Sequence, residues 1–385
     1  METHTLYYPL LWLVVAAIAT GVLVASGNIH FFRVRSAEDP AVRLRAQRQL
    51  RRLKRLRWVL ESLTAILILG GLGAWYSDAS AERQAIKTLR EQRFPVFDPG
   101  KVWEAPDPFL AETDARTKQI AYGRDLIAHT QDYFGPEGLV RPGSINHLNC
   151  QNCHLDAGAK PFGNNYFAVA STYPKMRARS GALETIPRRV NDCFERSLNG
   201  RAIDTTSREM QAIVAYIEWL GTGVPKDQKP KGTGLVEVPF LDRPADPAKG
   251  QAVYAAKCAA CHGSDGQGLP MPDSPRRYPP LWGPGSYNEA AGLFRLSRFA
   301  GYVKANMPFG ASYQSPQLSD EEAWDVAAFV NSRPRPAHPF LNNDWPKVSK
   351  KPFDHPFGPY ADPFPEAQHK FGPFAPITAF YKGKQ

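Results

Sequence analysis

Cysteine and methionine are scarce in this chain, five of each among 385 residues. Four of the cysteines fall into two C-x-x-C pairs, which leaves Cys193 alone. Net basic charge is small too, once one segment is set aside. The formal charge is +10, but residues 33–57 hold ten Lys/Arg against Glu38 and Asp39 only. The other 360 residues carry a net +2. Nucleic-acid binding is therefore not the reason for the basic composition. The first residues, "METHT", lack a cationic stretch and carry Glu2, unlike a cleaved secretory signal.

Two apolar runs explain where the basic segment lies. Residues 9–27, "PLLWLVVAAIATGVLVASG", are 19 residues without a charge, enough to span a bilayer. Residues 60–76, "LESLTAILILGGLGAWY", form a second, shorter candidate with Glu61 at its edge. Trp12, Trp58, Trp75 and Tyr76 lie near the ends of these runs, where amphipathic rings favour the membrane interface. A buried core helix is the soluble alternative for either run. Short Lys/Arg-rich loops stay cytoplasmic, so the expectation is two transmembrane helices joined by a basic cytoplasmic loop. Residues 1–85 are then an anchor in a bacterial inner membrane, with the bulk of the protein in the periplasm.

Beyond a proline-punctuated stretch at residues 94–109, the pattern turns helical at residues 117–128 and again at 205–221. The second of these has Thr206 and Glu209 at capping-box spacing, an apolar stripe of Met210, Ile213, Val214, Ile217 and Leu220, and Gly221 as its stop. Residues 222–234, "TGVPKDQKPKGTG", read as an interdomain linker. A helix at 246–263 then runs into a cysteine pair, and residues 318–332 form another helix, with Ser319 and Glu322 as its capping box. Helix, C-x-x-C, loop, helix thus occurs twice, as an internal duplication of a small α-helical unit. The expected architecture is mainly α: two class I cytochrome c-like domains in tandem, at residues 86–228 and 229–335, behind the membrane anchor. Residues 336–385 are dense in proline and aromatics; disordered segments are poor in aromatics, so an irregular tail packed on the second domain is expected.

Both cysteine pairs are followed by histidine: Cys150-Gln-Asn-Cys153-His154 and Cys258-Ala-Ala-Cys261-His262. C-x-x-C-H is the pattern for covalent haem c attachment. Two thiols on one turn bond the two vinyl-derived carbons of one haem, and the next residue, histidine, becomes the proximal iron ligand. A four-cysteine zinc site is the alternative, but it needs no histidine after each pair, and 105 positions separate Cys153 from Cys258. Two covalently bound haem c groups are expected, held by Cys150, Cys153, Cys258 and Cys261 with His154 and His262 on iron.

The sixth iron position sets the redox role. For the second haem, Met307 in "VKANMPFG" lies 45 residues past His262 in a proline-glycine loop, with Met271 as its rival and core packing as the alternative. The first haem has no such loop. Its candidates are Met176, Met210, which belongs to a helical apolar stripe, and Cys193, 39 residues past His154. A lone cysteine is commonly a small buried hydrophobe. Around this one, residues 173–201 hold seven Lys/Arg against three Asp/Glu. With a helix starting at Pro187, spacing puts Arg189, Cys193, Arg196 and Ser197 on one face, and Val190, Phe194 and Leu198 beside it. Guanidinium groups lower a thiol's pKa and also bind oxyanions; a solvated charged helix is the plainer account.

The stretches "YPKMRARSG", "RVNDCFERSLNG" and "NMPFG", with the tail "PFGPYADPF…QHKFGPF", resemble the thiosulfate dehydrogenase (tetrathionate-forming) dihaem cytochromes c, over roughly residues 117–380. The resemblance implies that Cys193 is the distal ligand of a catalytic haem and Met307 that of an electron-transfer haem. Asn306 stands where some relatives have lysine, so no lysine-to-methionine ligand switch is expected. The implied reaction joins two thiosulfate into tetrathionate, with the reverse also open, and Cys193 carries a transient sulfur adduct. Arg179, Arg189 and Arg196, with Ser197, are the expected substrate-side groups. Electrons would pass to a small cytochrome c, a quinone-linked partner or a membrane oxidase. The two membrane helices depart from the soluble periplasmic members. Two other readings stay open: a non-catalytic, membrane-anchored dihaem subunit of a haem-copper oxidase, which would use methionine on both irons, and a Sox-type cytochrome, which would act on a carrier-bound substrate.

Overall fold

The computed structural model describes residues 38–93, 96–106 and 115–383, together with Gly21, Val24, Phe31, Val34 and Arg35. The first apolar run, residues 9–27, lies outside the described residues apart from Gly21 and Val24, both helical. The chain divides into two compact units, residues Met1–Gln92 and Arg93–Gln385.

The first unit is dominated by helix α1, Pro40–Arg93, 54 residues long. The expected basic loop is therefore helical from Pro40 to Arg57 and continuous with the apolar run that follows. The reason is compositional: residues 41–69 contain no glycine or proline and are rich in Arg, Leu, Gln and Ala, all strong helix formers. α1 is long and apolar enough to cross a membrane, and Leu63, Ile66, Leu69 and Trp75 on it are exposed.

The second unit repeats one helical pairing. Helix α2 (Ala115–Ala128) packs on α4 (Arg208–Leu220), and α5 (Pro247–Lys257) packs on α7 (Asp320–Asn331), which also contacts α6 (Leu296–Asn306). Each pairing has a glycine at its closest approach. A Cβ on Gly123 would lie 2.0 Å from Ala212 O, and one on Gly250 would lie 1.9 Å from Asp325 O. Only glycine lets the two backbones meet this closely. Ser319 and Glu322 form the expected reciprocal cap on α7. On α4 the cap is Ser207, whose Oγ accepts from Met210 N, rather than Thr206. Thr206 donates its N–H and O–H to Asp204, and Glu209 accepts from Tyr122 instead of reaching back.

Between the first C-x-x-C-H turn and α4 lie a small antiparallel hairpin and a helix. The hairpin pairs β1 (Lys175–Arg177) with β2 (Ala182–Glu184), Met176 facing Leu183. The helix, α3 (Ile186–Arg196), has Thr185 at its N-cap and Pro187 in its first turn. Phe194 is its one buried residue among those described, edge-on to Phe134 with ring centroids 5.2 Å apart. The tail is not wholly irregular, since Glu366–Phe371 and Ala375–Lys382 are helical. Phe353 and Phe374 close an aromatic cluster with Phe240 and Trp324. Buried Asp354 accepts from Arg295 Nε (2.7 Å) and from the N–H and O–H of Ser297 at the start of α6.

Candidate functional site

The first C-x-x-C-H turn is built locally. Cys150–Asn152 is a single 3-10 turn, with Asn149 and Asn152 capping each other's backbone, and Cys150 N donates to Thr130 Oγ1. His154 Nδ1 hydrogen-bonds the carbonyl of Asn164, and its ring stacks on Tyr166 at 4.4 Å. With Nδ1 as donor to a carbonyl, the lone pair sits on Nε2, the nitrogen free to ligate a metal.

Cys150, Cys153 and His154 open on a cavity of about 630 Å³, within the range of small-cofactor sites. Its lining is largely apolar, with Ile127, Leu148, Val190 and Ile213 among it. Cys193 lines the same cavity from α3, together with Arg189 and Ser197. Arg189 Nη1 lies 3.1 Å from Cys193 Sγ, one helical turn away. Burial pushes the Cys193 thiol up, but Arg189 and the His154 imidazole outweigh it and bring the pKa down to about 6. Cys150 and Cys153 have no such cation beside them, and burial raises both to about 12. Two thiols and an oriented imidazole on one turn, a thiol that favours thiolate beside that imidazole on α3, and a largely apolar cavity lined by all four fit a covalently attached haem.

The expected face of α3 is only partly realised. Arg189, Cys193 and Ser197 converge on the cavity, whereas Arg196 turns away from it, bonding Asp192 Oδ1 (2.8 Å) and Asp344 Oδ1 (2.9 Å). Arg179 is buried at the hairpin turn, with Nη1 on Ala290 O (3.0 Å) and Nε 3.6 Å from Asp344 Oδ2. Burial lowers the Arg179 guanidinium to about 10, with Asp344 opposing the shift. Arg179 and Arg196 are thus engaged by a tail carboxylate that the sequence reading did not single out. Lys175, also on the cavity and over the Tyr173 ring, was missed as well. The Asp344 contacts leave no sequence signal, because they depend on how distant segments meet. Of the rival methionines, Met210 is in the core and Met176 is exposed on the hairpin.

The second turn follows α5 directly. His262 Nδ1 bonds Pro279 O at 3.1 Å, again leaving Nε2 free, and burial lowers its pKa, favouring the neutral, ligating form. Met307 is the C-cap of α6 and packs against the core, while Met271 lies in the 270–277 loop, its N–H on Arg276 O. Tyr302 on α6 donates to Asn152 O (2.7 Å), and Asn306 donates to Phe162 O (3.0 Å), so the helix ending at Met307 is pinned to the first haem turn.

Comparison with known proteins agrees with this duplicated site. Residues 142–225 match the family described as SoxA/TsdA, cytochrome c domain, and residues 247–334 match cytochrome c. A thiosulfate dehydrogenase of Allochromatium vinosum is 40% identical over 239 residues, covering 60% of this chain and 81% of that protein. One from Thiomonas intermedia is 33% identical over 279 residues, covering 71% and 84%. Among solved structures, thiosulfate dehydrogenase (TsdBA) from Marichromatium purpuratum in its as-isolated form aligns with a TM-score of 0.56 at 31% identity, over 62% of this chain. This chain spans half the length of that one. The protein carries two covalently bound haem c groups, one in each matched cytochrome c region. It belongs to the thiosulfate dehydrogenase family of oxidoreductases.

Proposed function

We propose that the protein joins two thiosulfate ions into tetrathionate and releases two electrons, with the reverse reaction also open to it. The observation that carries this reading is Cys193 on the same cavity as Cys150, Cys153 and His154, with Arg189 Nη1 3.1 Å from its Sγ. In this reading His154 and Cys193 hold the catalytic haem, and His262 and Met307 hold the electron-transfer haem. When bound, each haem supplies a one-electron acceptor, so two match a two-electron oxidation. The protein's own task is to bring dianions together. Two charges of −2 at about 4 Å repel by about 4 kcal/mol even in bulk water. Arg189, assisted by Lys175 at the cavity and by the Ser197 hydroxyl, offsets that repulsion. The exposed position of Met176 and the core position of Met210 support cysteine, not methionine, on the first iron.

The apolar run of α1, with the uncharged run at residues 9–27, anchors the catalytic part on the periplasmic face of the inner membrane. Electrons then leave through the second haem to a small cytochrome c or a membrane oxidase. The test is thiosulfate-dependent reduction of an artificial dye by purified holoprotein. The wild type is expected to turn over and Cys193→Gly to lose activity while keeping both haems; full activity in Cys193→Gly contradicts the reading.

A further inference from the structure

We infer that Asp344, in the C-terminal tail, is a positioning residue for Cys193. This rests on the proposed role of Cys193 and extends it to a residue 151 positions away. The helix that carries Cys193 has a limited apolar grip: Phe194 is its one fully buried residue among those described, with Ile186 and Val190 partly buried against the core. Polar contacts fix the rest of its orientation. Asn191 exchanges two hydrogen bonds with the backbone of Ile203, and Asn288 takes its C-terminal end by donating to Glu195 O. The side facing the tail is held by charge. Arg196 bridges Asp192, the residue next to Cys193, and Asp344, which is also the carboxylate beside Arg179.

Around that carboxylate the tail grips both segments next to the cavity. Trp345 N donates to Arg179 O (2.7 Å), and the Arg179 guanidinium lies over the Trp345 ring. Gly181, at φ +67 in the hairpin turn, leaves room for Pro346, whose Cγ would be 2.7 Å from a Cβ there. Arg179, Arg196, Asp192 and Asp344 form a neutral quartet with side chains 11, 12, 15 and 6% exposed. Removing Asp344 leaves Arg196 with Asp192 and, at 4.0 Å, the half-exposed Glu195, but leaves the buried Arg179 guanidinium without the carboxylate beside it, an arrangement that a buried charge does not tolerate in place. The helix must then turn or shift, and Cys193 Sγ moves with it. Arg179 and Arg196 therefore serve the site by holding the helix to the tail, leaving Arg189 as the α3 arginine that faces the cavity.

The test uses the full-length holoprotein with Asp344→Asn, which keeps the shape of the side chain, and Asp344→Glu, which keeps its charge. Haem content by the pyridine haemochrome assay, oxidised-state EPR, kcat and KM for thiosulfate, and amide exchange in peptide 186–196 are measured for each. In Asp344→Asn, two haems remain attached and peptide 186–196 exchanges faster. The thiolate-type low-spin signal splits or gives way to high-spin iron. A displaced reacting atom costs between about tenfold and a hundredfold in kcat, with KM changed less than about twofold. Asp344→Glu recovers most of the signal and the rate. Wild-type EPR and kcat with only a lower melting temperature overturn the inference, as does a fall in KM at unchanged kcat, which would mean that freed arginines bind substrate. A Cys193→Ala control separates the two readings. If it keeps the wild-type thiolate signal, the ligand assignment fails, while amide exchange at 186–196 still reports whether Asp344 holds the helix.

Discussion

The two C-x-x-C-H turns are built alike, and what differs is the sulfur proposed to face each of them. In both, a helix pair crosses at a glycine, the histidine is oriented by a backbone carbonyl, and Nε2 is left free. For the second haem the proposed partner is Met307, at the C-cap of α6, whereas the cavity at the first turn is lined by Cys193, which lies beside Arg189 on a short helix. The shared half makes a cytochrome; in the proposed reading the differing half sets whether the iron meets a thioether or a thiol beside a cation. A thioether suits electron transfer, and a cation-flanked thiolate in a cavity suits chemistry on an oxyanion.

The strongest way to break this comparison is to remove each facing sulfur in turn. Cys193→Gly is expected to lower thiosulfate-linked dye reduction by about 10²–10³-fold, the scale of losing a group that acts at the reacting centre. Met307→Leu should leave that activity within about tenfold and instead move the potential of one haem, read by redox titration. Equal losses would erase the distinction between the sites.

A smaller effect tests what supports the second cytochrome c region alone. Burial would raise the Asp354 carboxyl, but Arg295 and Ser297 hold it below the usual carboxylate value. A lowered folded-state pKa gives stability that is present above the unfolded pKa and lost as pH falls through the folded value. Asp354→Asn should therefore cost about 3–5 kcal/mol near neutral pH and flatten the acid side of the stability curve, measured by denaturant titration across pH. An unchanged acid limb would show that this carboxylate does not support α6.

The glycine crossings should behave alike. Gly123→Ala and Gly250→Ala each force a Cβ against a carbonyl oxygen and are expected to cost about 1–3 kcal/mol by chemical denaturation. The smallest effect concerns the anchor. A chain beginning at Arg93, exported behind a cleavable leader, should stay soluble and keep dye-linked activity within about twofold, since residues Arg93–Gln385 form one compact unit.

Much of this was legible in the sequence because the informative features are local. The two C-x-x-C-H turns, the Ser319–Glu322 cap and the isolated Cys193 need only spacing and residue type. Local chemistry also misled in places. Thr206 has the right spacing for a cap, but Asp204 captures it in a turn, and Ser207 takes the position. The basic segment reads as a loop by charge, yet its residues are helix formers, and without a breaker the helix continues. The β1–β2 hairpin and the engagement of Arg179 and Arg196 by Asp344 were out of reach. The hairpin strands are three residues each, too short for a period to show, and the Asp344 contacts depend on a tail returning across more than a hundred residues.

The central claim is that a thiolate and a thioether face two otherwise similar haem sites. Low-temperature EPR of the oxidised holoprotein, wild type beside Cys193→Ala, tests it most directly. The expected result is a thiolate-type low-spin signal in the wild type that vanishes in Cys193→Ala, while the signal of the second haem is unchanged. A wild-type spectrum without that signal, or one that survives the substitution intact, would contradict it.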